Sequence, residues 1–283
     1  MNIAIVGATG NVGRRLIEVL EKKQFPIDKL FLIASSKSVG KKINFKGKEH
    51  SIYGLESFDF SSVKIAFFSA GSSIAEKWAP IAAKKTIVID NSKFFRMDPD
   101  VPLIVPEVNS KDLKNYKKKN IIANANCSVI PLVVALKPLH DLYEIKRIVA
   151  STYQSVSGAG KEPMDELLSQ TKDFFDGKKL NSKFFTKQIA FNAIPHIDSF
   201  LEDGYTKEEQ KMHDEVKKIL DNKIKITSTS VRIPVLVSHA VSVNVEFNKK
   251  YKLNEVRDVL NTSPGCKVID EHKDGGYITP SEA

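Results

Sequence analysis

The chain has 283 residues, a length typical of about two domains. Hydrophobic residues make up 42% and charged residues 27%, a composition that excludes a mainly disordered chain. No apolar run approaches the ~20 residues of a membrane-spanning helix, so no membrane association is predicted. Only two cysteines occur, Cys127 and Cys266, which excludes a disulfide framework and favours a reducing cytoplasm.

The net charge is +9, which raises the question of nucleic-acid binding. Only six of the 43 basic residues are arginine, and the lysines are scattered without interleaved aromatic residues. We therefore predict no nucleic-acid partner. A positive field also attracts small phosphorylated anions, and a small-molecule substrate is the favoured partner.

Strands and helices alternate in the first third of the chain. The strands are short and apolar, and the helices between them have apolar residues at helical spacing. This alternation predicts a parallel sheet with crossover helices. In chain order the predicted elements cover residues 2–6 (strand), 14–20 (helix), 29–34 (strand), 64–68 (strand), 74–84 (helix) and 86–89 (strand).

The pattern changes after about residue 126. A strand is predicted over 145–154, and apolar residues alternate with polar ones over 240–247, as in a strand with one covered face. We therefore predict an α/β protein of two domains. Residues 1–126 form the parallel-sheet domain, and residues 127–283 form an α+β domain on a mixed or antiparallel sheet.

Three glycines, Gly7, Gly10 and Gly13, lie between the first predicted strand and the first helix. Backbone N–H groups and the helix dipole at such a turn can hold a pyrophosphate, so the turn is a candidate dinucleotide site. The alternative is a purely structural turn between strand and helix.

The second predicted strand ends in Ser35-Ser36-Lys37-Ser38, without the carboxylate that usually binds the ribose 2′-hydroxyl of NAD. A carboxylate would repel a 2′-phosphate, whereas Lys37 with the hydroxyls of Ser35 and Ser38 would bind it. The pattern favours NADP over NAD. The alternative is an ordinary polar loop.

Cys127 follows Asn126 and directly precedes an apolar helical run over 130–139, with Pro131 suited to the first helical turn. A helix N-terminus stabilises a thiolate and lowers its pKa, which makes Cys127 the candidate nucleophile. The alternative is a buried, inert thiol. We interpret Cys266, which has no such setting, as structural.

Eight short motifs appear together in the chain, and with them the sequence resembles aspartate-β-semialdehyde dehydrogenases of the bacterial type. The resemblance extends over nearly the whole chain, with the motifs in the family's order. They are GATGNVG at 7–13, SAGSS at 69–73, FR at 95–96, VPEVN at 105–109, NANCS at 124–128, YQSVSGAGK at 153–161, TKEEQK at 206–211, and RIPV at 232–235 with His239.

The resemblance implies a Rossmann-like NADP-binding domain and a catalytic and dimerisation domain, in a cytoplasmic homodimer. The implied reaction interconverts L-aspartyl-4-phosphate with NADPH and aspartate 4-semialdehyde with phosphate and NADP. It belongs to the biosynthesis of lysine, by way of diaminopimelate, and of threonine and methionine. A related acyl-phosphate reductase, such as N-acetylglutamyl-phosphate reductase, remains the alternative activity.

The resemblance also implies a role for individual residues. Cys127 forms a thioacyl enzyme, His239 is the acid/base, and Gln154 orients the substrate. Arg232 pairs with the substrate α-carboxylate and Glu208 with its α-amine. No metal site is implied. The implied phosphate ligands are Arg96, Lys211 and Asn126. The implied cofactor contacts are Gly7, Thr9, Gly10, Asn11, Val12, Ser35, Lys37, Ser38, Ser69, Gly71, Ser157 and Gly158.

The residues around Glu208 support this assignment independently. Thr206 and Glu209 have the spacing of a capping box, which predicts a helix start. Glu208 and Lys211 then lie three residues apart on one helix face, where they can meet an amino group and an anion. The alternative is a solvated surface ion pair.

The chain departs from the family pattern at Val129, Pro131, Ala240 and Val241, which flank the reacting groups and bear on rate and specificity. Family members also continue beyond a segment like that at 277–283. We therefore expect the chain to be truncated, without a segment that contributes to nicotinamide binding. A catalytically impaired nucleotide-binding paralogue is the corresponding alternative.

Overall fold

A computed structural model describes all 283 residues, Met1–Ala283. They form two compact units. The first contains residues 1–104 and 109–125, and the second contains residues 105–108 and 126–283.

The first unit is built on one eight-stranded sheet with the order β3-β4-β2-β1-β5-β6-β8-β7. All neighbouring strands are parallel except β3 and β4, which confirms the predicted parallel sheet. The strands are β1 Asn2–Val6, β2 Lys29–Ala34, β3 Lys42–Phe45, β4 Lys48–Gly54, β5 Ile65–Phe68, β6 Ile87–Asp90, β7 Leu103–Ile104 and β8 Ile121–Asn124. The helices are α1 Asn11–Lys22 and α2 Ser72–Ala83. The short helix α3, Pro106–Asn109, belongs to the second unit except for its last residue.

Apolar residues of the central strands form the core of this unit. Ile3, Ile5, Leu32 and Ile33 are fully buried. Strands of a parallel sheet are covered on both faces, which explains why β1 and β2 are almost continuously apolar.

The β3–β4 hairpin was not among the predicted elements. Its two-residue connection, Lys46-Gly47, has positive φ at both positions, as a tight hairpin turn requires. The strands it joins are short and carry many polar residues, KINF in β3 and KEHSIYG in β4. The tertiary position at the edge of the sheet decides their conformation.

The second unit contains a three-stranded mixed sheet with the order β10-β9-β11, in which β9 pairs parallel with β10 and antiparallel with β11. Ile148, Ala150 and Thr152 of β9 lie on its buried face. The strands are β9 Ile145–Gln154, β10 Lys225–Arg232 and β11 His239–Phe247. The helices are α4 Val129–Tyr143, α5 Lys161–Phe175, α6 Lys207–Ile219 and α7 Leu253–Thr262.

The apolar segment 231–237 is not one continuous strand. Strand β10 ends at Arg232, and the next strand begins at His239. Pro234 explains the early end, because proline has no N–H to continue the ladder. Arg232 and His239 therefore lie at the ends of two different strands.

None of the helices is both long enough and apolar enough to cross a membrane.

The turn after β1 depends on two close backbone contacts. A Cβ at Gly13, inside α1, would lie 2.2 Å from the carbonyl oxygen of Gly7. Gly7 itself has φ +87°, and a Cβ there would lie 2.7 Å from the backbone of Ser69. Glycine at these positions lets α1 and the β5–α2 loop approach the end of β1 closely.

We expect Gly13→Ala to lower the free energy of unfolding by about 1–3 kcal/mol, because the added methyl group meets a backbone oxygen that cannot move aside. Gly10→Ala is the matched control, since a Cβ there would lie 3.4 Å from the same oxygen. Urea unfolding of both variants measures the difference. Equal midpoints for the two variants would contradict this account of the turn.

Candidate active site

Cys127 lies two residues before the first residue of α4 and is exposed. Asn126 caps the start of this helix. Its carbonyl oxygen accepts from the N–H groups of Val129 and Ile130, both at 3.0 Å, and its side-chain oxygen accepts from the Ser128 N–H at 2.8 Å. The thiol is thus presented at a helix N-terminus, where a thiolate is favoured.

Helix α6 holds Asn126 from two sides. The backbone N–H of Asn126 donates to Glu215 at 2.6 Å, and its side-chain amide donates to Glu208 at 2.9 Å. Glu208, Lys211 and Glu215 are spaced i, i+3, i+7 on one face of α6. The predicted capping box of Thr206 and Glu209 is confirmed and fixes where this helix begins.

His239 begins β11 opposite Gln154, the last residue of β9. Its Nε2 lies 3.3 Å from Sγ of Cys127, and its Nδ1 accepts from the backbone N–H of Ser155 at 3.1 Å. Burial of the ring lowers the pKa of His239 below its ordinary value. The end of β9 and the start of β11 thus set the ring against the thiol.

Glu208 is 6% exposed and is surrounded by donors. One oxygen accepts from Asn126 and, at 3.2 Å, from the Gln154 amide, and the other accepts from Lys211 at 2.7 Å. Lys211 also donates to Asp198 at 3.0 Å. Burial alone would raise the pKa of Glu208, but the Lys211 ammonium and these hydrogen bonds bring it below its usual value.

Lys211 shows the opposite balance. Burial would lower the pKa of its ammonium group, but Glu208 and Asp198 together raise it above the ordinary value. Both partners are therefore charged near neutral pH. The predicted shared helix face exists, and its two charged groups bind one another.

Arg232 ends β10, is 6% exposed, and donates to the carbonyl oxygen of Ser155 at 2.6 Å. Gly158 lies against it, since a Cβ there would be 3.3 Å from Nη1 of Arg232 and 3.7 Å from the His239 ring. Ser157 contacts the Ser155 hydroxyl at 2.9 Å. Ser157 and Gly158, expected from the resemblance to contact the cofactor, line the same part of the second unit as the thiol and the ring.

These groups suit covalent acyl transfer. A sulfur nucleophile contacts an imidazole ring, and a buried guanidinium and a buried carboxylate lie in the same unit. A guanidinium binds a carboxylate through two parallel hydrogen bonds, and a carboxylate binds an ammonium group. The site therefore fits an acyl compound that also carries both charges of an amino acid.

The glycine turn lies in the first unit, at the carboxyl end of β1. Helices α1 and α2 follow the adjacent strands β1 and β5, and both begin at glycines, Gly10 and Gly71, without a side-chain cap. The sheet order reverses between β1 and β5, which is where doubly wound folds bind nucleotides. Thr9 and Ser69 belong to the loops before these helices, and Asn11 and Val12 are the first residues of α1, so the residues fit a dinucleotide.

Ser35 and Lys37 lie exposed in a short turn after β2, and Ser38 ends that turn. Arg96 lies elsewhere in the same unit. It donates to the carbonyl oxygens of Asn124 at 2.9 Å and Asn91 at 3.1 Å, and it is 8% exposed.

Three residues of the second-unit site were missed by sequence reasoning. Ser155 contacts His239 and Arg232 through its main chain, and Asp198 contacts Lys211 across 13 residues. Neither contact has a sequence signal. Glu215 is 1% exposed, and its position on the buried face of α6, beside Met212 and Val216, is a signal that could have identified it.

Two family descriptions match the chain. Residues 2–116 match "Semialdehyde dehydrogenase, NAD binding domain", and residues 136–283 match "Semialdehyde dehydrogenase, dimerisation domain".

Curated relatives match over almost all of the chain. It is 52% identical over 282 residues to aspartate-semialdehyde dehydrogenase of Aquifex aeolicus (strain VF5), covering 98% of this chain and 83% of the relative. It is 50% identical to the aspartate-semialdehyde dehydrogenase of Rickettsia bellii (strain RML369-C), covering 99% of this chain and 83% of the relative.

A solved structure is similar in both fold and sequence. The crystal structure of aspartate semialdehyde dehydrogenase II from Vibrio cholerae, complexed with ASA, superimposes with a TM-score of 0.92 at 49% identity. The match covers 93% of this chain and 79% of that chain.

We expect Glu208→Gln to lower the free energy of unfolding at pH 7, because it leaves the partly buried Lys211 without its closest carboxylate. A carboxyl whose pKa is lowered on folding stabilises above its unfolded value, near 4.5, and that stabilisation is lost as the pH falls. The difference from the parent chain should therefore shrink between pH 7 and pH 3.

Urea unfolding across this pH range measures the effect, with Glu76→Gln, a substitution on the exposed surface of α2, as the control. A deficit that stays constant with pH would rule out the ion pair as its source.

Proposed function

The chain belongs to the aspartate-semialdehyde dehydrogenase family, and we propose that it reversibly reduces L-aspartyl-4-phosphate to aspartate 4-semialdehyde and phosphate with NADPH. The observation that carries the proposal is the contact of 3.3 Å between Sγ of Cys127 and Nε2 of His239, at the start of α4. A thiol in this setting is suited to form an acyl intermediate.

The charges of the site support an amino-acid substrate. Arg232 is the buried cation that we assign to the α-carboxylate, and Glu208 is the buried anion that we assign to the α-ammonium. In the complex, the α-ammonium group of the substrate takes the place beside Glu208 that the Lys211 ammonium group occupies in the ligand-free protein. Gln154, whose amide donates to Glu208, orients the bound substrate.

The thiolate of Cys127 attacks the acyl carbon, and phosphate leaves, so that a thioester joins substrate and enzyme. NADPH, when bound, supplies the hydride that reduces the thioester. His239, whose ring contacts the reacting sulfur, is assigned as the acid/base of the reaction. Released phosphate is assigned to Lys211 and Asn126 of the second unit, whose side chains supply a cationic and an amide donor. For Arg96 of the first unit, a role as phosphate ligand stays what the family resemblance implies.

The absence of a carboxylate at the end of β2 supports NADP as the cofactor. Ser35, Lys37 and Ser38 lie where a ribose 2′ substituent is bound in doubly wound folds, and they suit a phosphate. The pyrophosphate is assigned to the glycine turn and to the loops at Ser69 and Gly71.

We assign the activity to the biosynthesis of lysine, threonine and methionine in the cytoplasm, in agreement with two cysteines that are both free. A homodimer is supported by the match of residues 136–283 to a dimerisation domain.

We expect Cys127→Ser to remove most of the activity, because a serine hydroxyl is a much weaker nucleophile than a thiolate near neutral pH. Folding and NADP binding should stay intact. The assay follows NADP reduction with aspartate semialdehyde and phosphate. Cys266→Ser is the matched control and should retain activity. Mass spectrometry that finds the acyl group on Cys266, with Cys127 unmodified, would overturn the assignment.

Substitutions of Arg232 and of Lys211 should weaken the binding of different substrates. Loss of a charge-assisted hydrogen bond costs about 1.5–3 kcal/mol, or roughly tenfold to a hundredfold in affinity. Arg232→Leu should chiefly weaken semialdehyde recognition, and Lys211→Leu should chiefly raise the KM for phosphate. Arg232→Lys should also weaken semialdehyde recognition, because an ammonium group cannot form two parallel hydrogen bonds to a carboxylate.

Steady-state kinetics with each substrate varied separately distinguish these effects. If Lys211→Leu left the phosphate dependence unchanged and weakened semialdehyde binding, the division of roles between the two cations would be wrong.

Lys37→Glu should narrow or invert the preference for NADP over NAD, since a carboxylate repels a 2′-phosphate and accepts from a 2′-hydroxyl. Dissociation constants for both cofactors, measured by fluorescence titration, give the answer. Lys41→Glu, a nearby exposed change, serves as the control for net charge. Equal affinities of the parent chain for NAD and NADP would contradict the proposed binding of the 2′-phosphate by Lys37.

A further inference from the structure

Thr152 lies two residues before Gln154 on β9, so both side chains lie on the same face of the sheet. Thr152 is fully buried, and Gln154 is 2% exposed. The hydroxyl of Thr152 donates to the side-chain oxygen of Gln154 at 3.1 Å, and the side-chain nitrogen of Gln154 donates to Glu208 at 3.2 Å. The amide of Gln154 is therefore held at both of its polar atoms.

The carboxylate of Glu208 decides which atom of the amide faces which partner. Burial raises the pKa of Glu208, but the Lys211 ammonium group and hydrogen bonds bring it below its usual value, so the group is charged near neutral pH. A carboxylate only accepts hydrogen bonds, so the amide nitrogen must face it. The amide oxygen, which also only accepts, then faces Thr152, and the hydroxyl must be the donor.

The hydroxyl of Thr152 makes the only hydrogen bond to the side-chain oxygen of Gln154. A buried carbonyl oxygen that loses its donor is destabilised, and the side chain then turns toward another donor or toward water. The amide nitrogen has two hydrogens, and Glu208 binds one of them. The direction of the second N–H therefore depends on the hydroxyl that holds the oxygen.

We infer that Thr152 is a positioning residue of the active site, whose hydroxyl holds the Gln154 amide so that its second N–H meets the bound substrate. The inference rests on the proposed function, in which Gln154 orients the substrate. Thr152 acts through Gln154, because a fully buried side chain does not contact the substrate itself.

Strand β10 offers a matched control for this hydroxyl. Ser230 pairs with Thr152 in the register of the two strands, and both residues are fully buried. The hydroxyl of Ser230 has no hydrogen-bond partner. Ser230→Ala therefore removes a buried hydroxyl from the neighbouring position and leaves the Gln154 amide as it is.

Steady-state kinetics measure the effect on each substrate. Thr152→Val keeps the shape of the side chain and removes the donor, so we expect it to raise the KM for aspartate semialdehyde about tenfold. The KM values for phosphate and NADP should stay within about twofold, and Thr152→Ser and Ser230→Ala should match the parent chain equally closely. A loss shared by all three substrates, or equal in Ser230→Ala, would show a merely structural role and overturn the inference.

A double-mutant cycle shows whether Thr152 acts through Gln154. Gln154→Ala with Thr152→Val should have the same KM for aspartate semialdehyde as Gln154→Ala alone, because the hydroxyl then has no amide to hold. A further rise in the double variant would show that Thr152 affects the substrate by a separate route, and the inference would fail.

NMR of the ligand-free protein labelled with ¹⁵N-glutamine observes the side-chain amide directly. The signals of Gln154 are assigned as those that disappear in Gln154→Ala. We expect them to shift in Thr152→Val and to stay in place in Thr152→Ser and Ser230→Ala. Unchanged signals in Thr152→Val would show that the hydroxyl does not hold the amide, and the inference would be overturned.

The NMR measurement needs no substrate or cofactor, which separates the two proposals. If the chain does not reduce NADP with aspartate semialdehyde and phosphate, the proposed function fails, while NMR still decides whether Thr152 holds the amide. If the activity is found and Thr152→Val leaves the KM for aspartate semialdehyde unchanged, the proposed function stands and the role of Thr152 is rejected.

Discussion

The buried carboxylate of Glu208 joins the three parts of the second unit that build the site. It accepts from Asn126 in the turn before α4, from Gln154 at the end of β9, and from Lys211 on its own helix. A carboxylate that is 6% exposed needs such donors, since an unpaired buried charge is costly. The positions of the turn that carries Cys127, of the Gln154 amide and of the Lys211 ammonium group therefore depend on one side chain.

Much of the site is held by main-chain groups. Asn126 is anchored to Glu215 through its N–H, and Ser155 holds His239 and Arg232 through its N–H and its carbonyl oxygen. Backbone groups have fixed donor and acceptor roles and cannot rotate away, so they hold the ring and the guanidinium in place. That property distinguishes the contact of Ser155 with His239 from one made by a rotatable hydroxyl alone.

Some strands could be predicted from the sequence, and others could not. The parallel sheet followed from the alternation of apolar strands and helices, and β1 and β2 have the bounds that the pattern indicated. The hairpin of β3 and β4 did not, because its strands carry many polar residues and are ordered by pairing with β2 at the sheet edge. The apolar segment 231–237 contains Pro234, and β10 ends before that proline, at Arg232, because proline has no N–H to continue the ladder.

The sequence alone determined the glycine turn, the capping box at Thr206, the helix face shared by Glu208 and Lys211, and a thiol at the start of a helix. Each depends on residues close together in the chain, and spacing within a strand or helix is fixed by backbone geometry. Only the tertiary structure decided that His239 contacts Cys127, 112 residues away, that Ser155 faces Nδ1 of that ring, and that Glu215 binds the turn before α4. Those contacts depend on how separate strands and helices pack, and they are made partly by backbone groups, which are the same in every residue and leave no trace in the sequence.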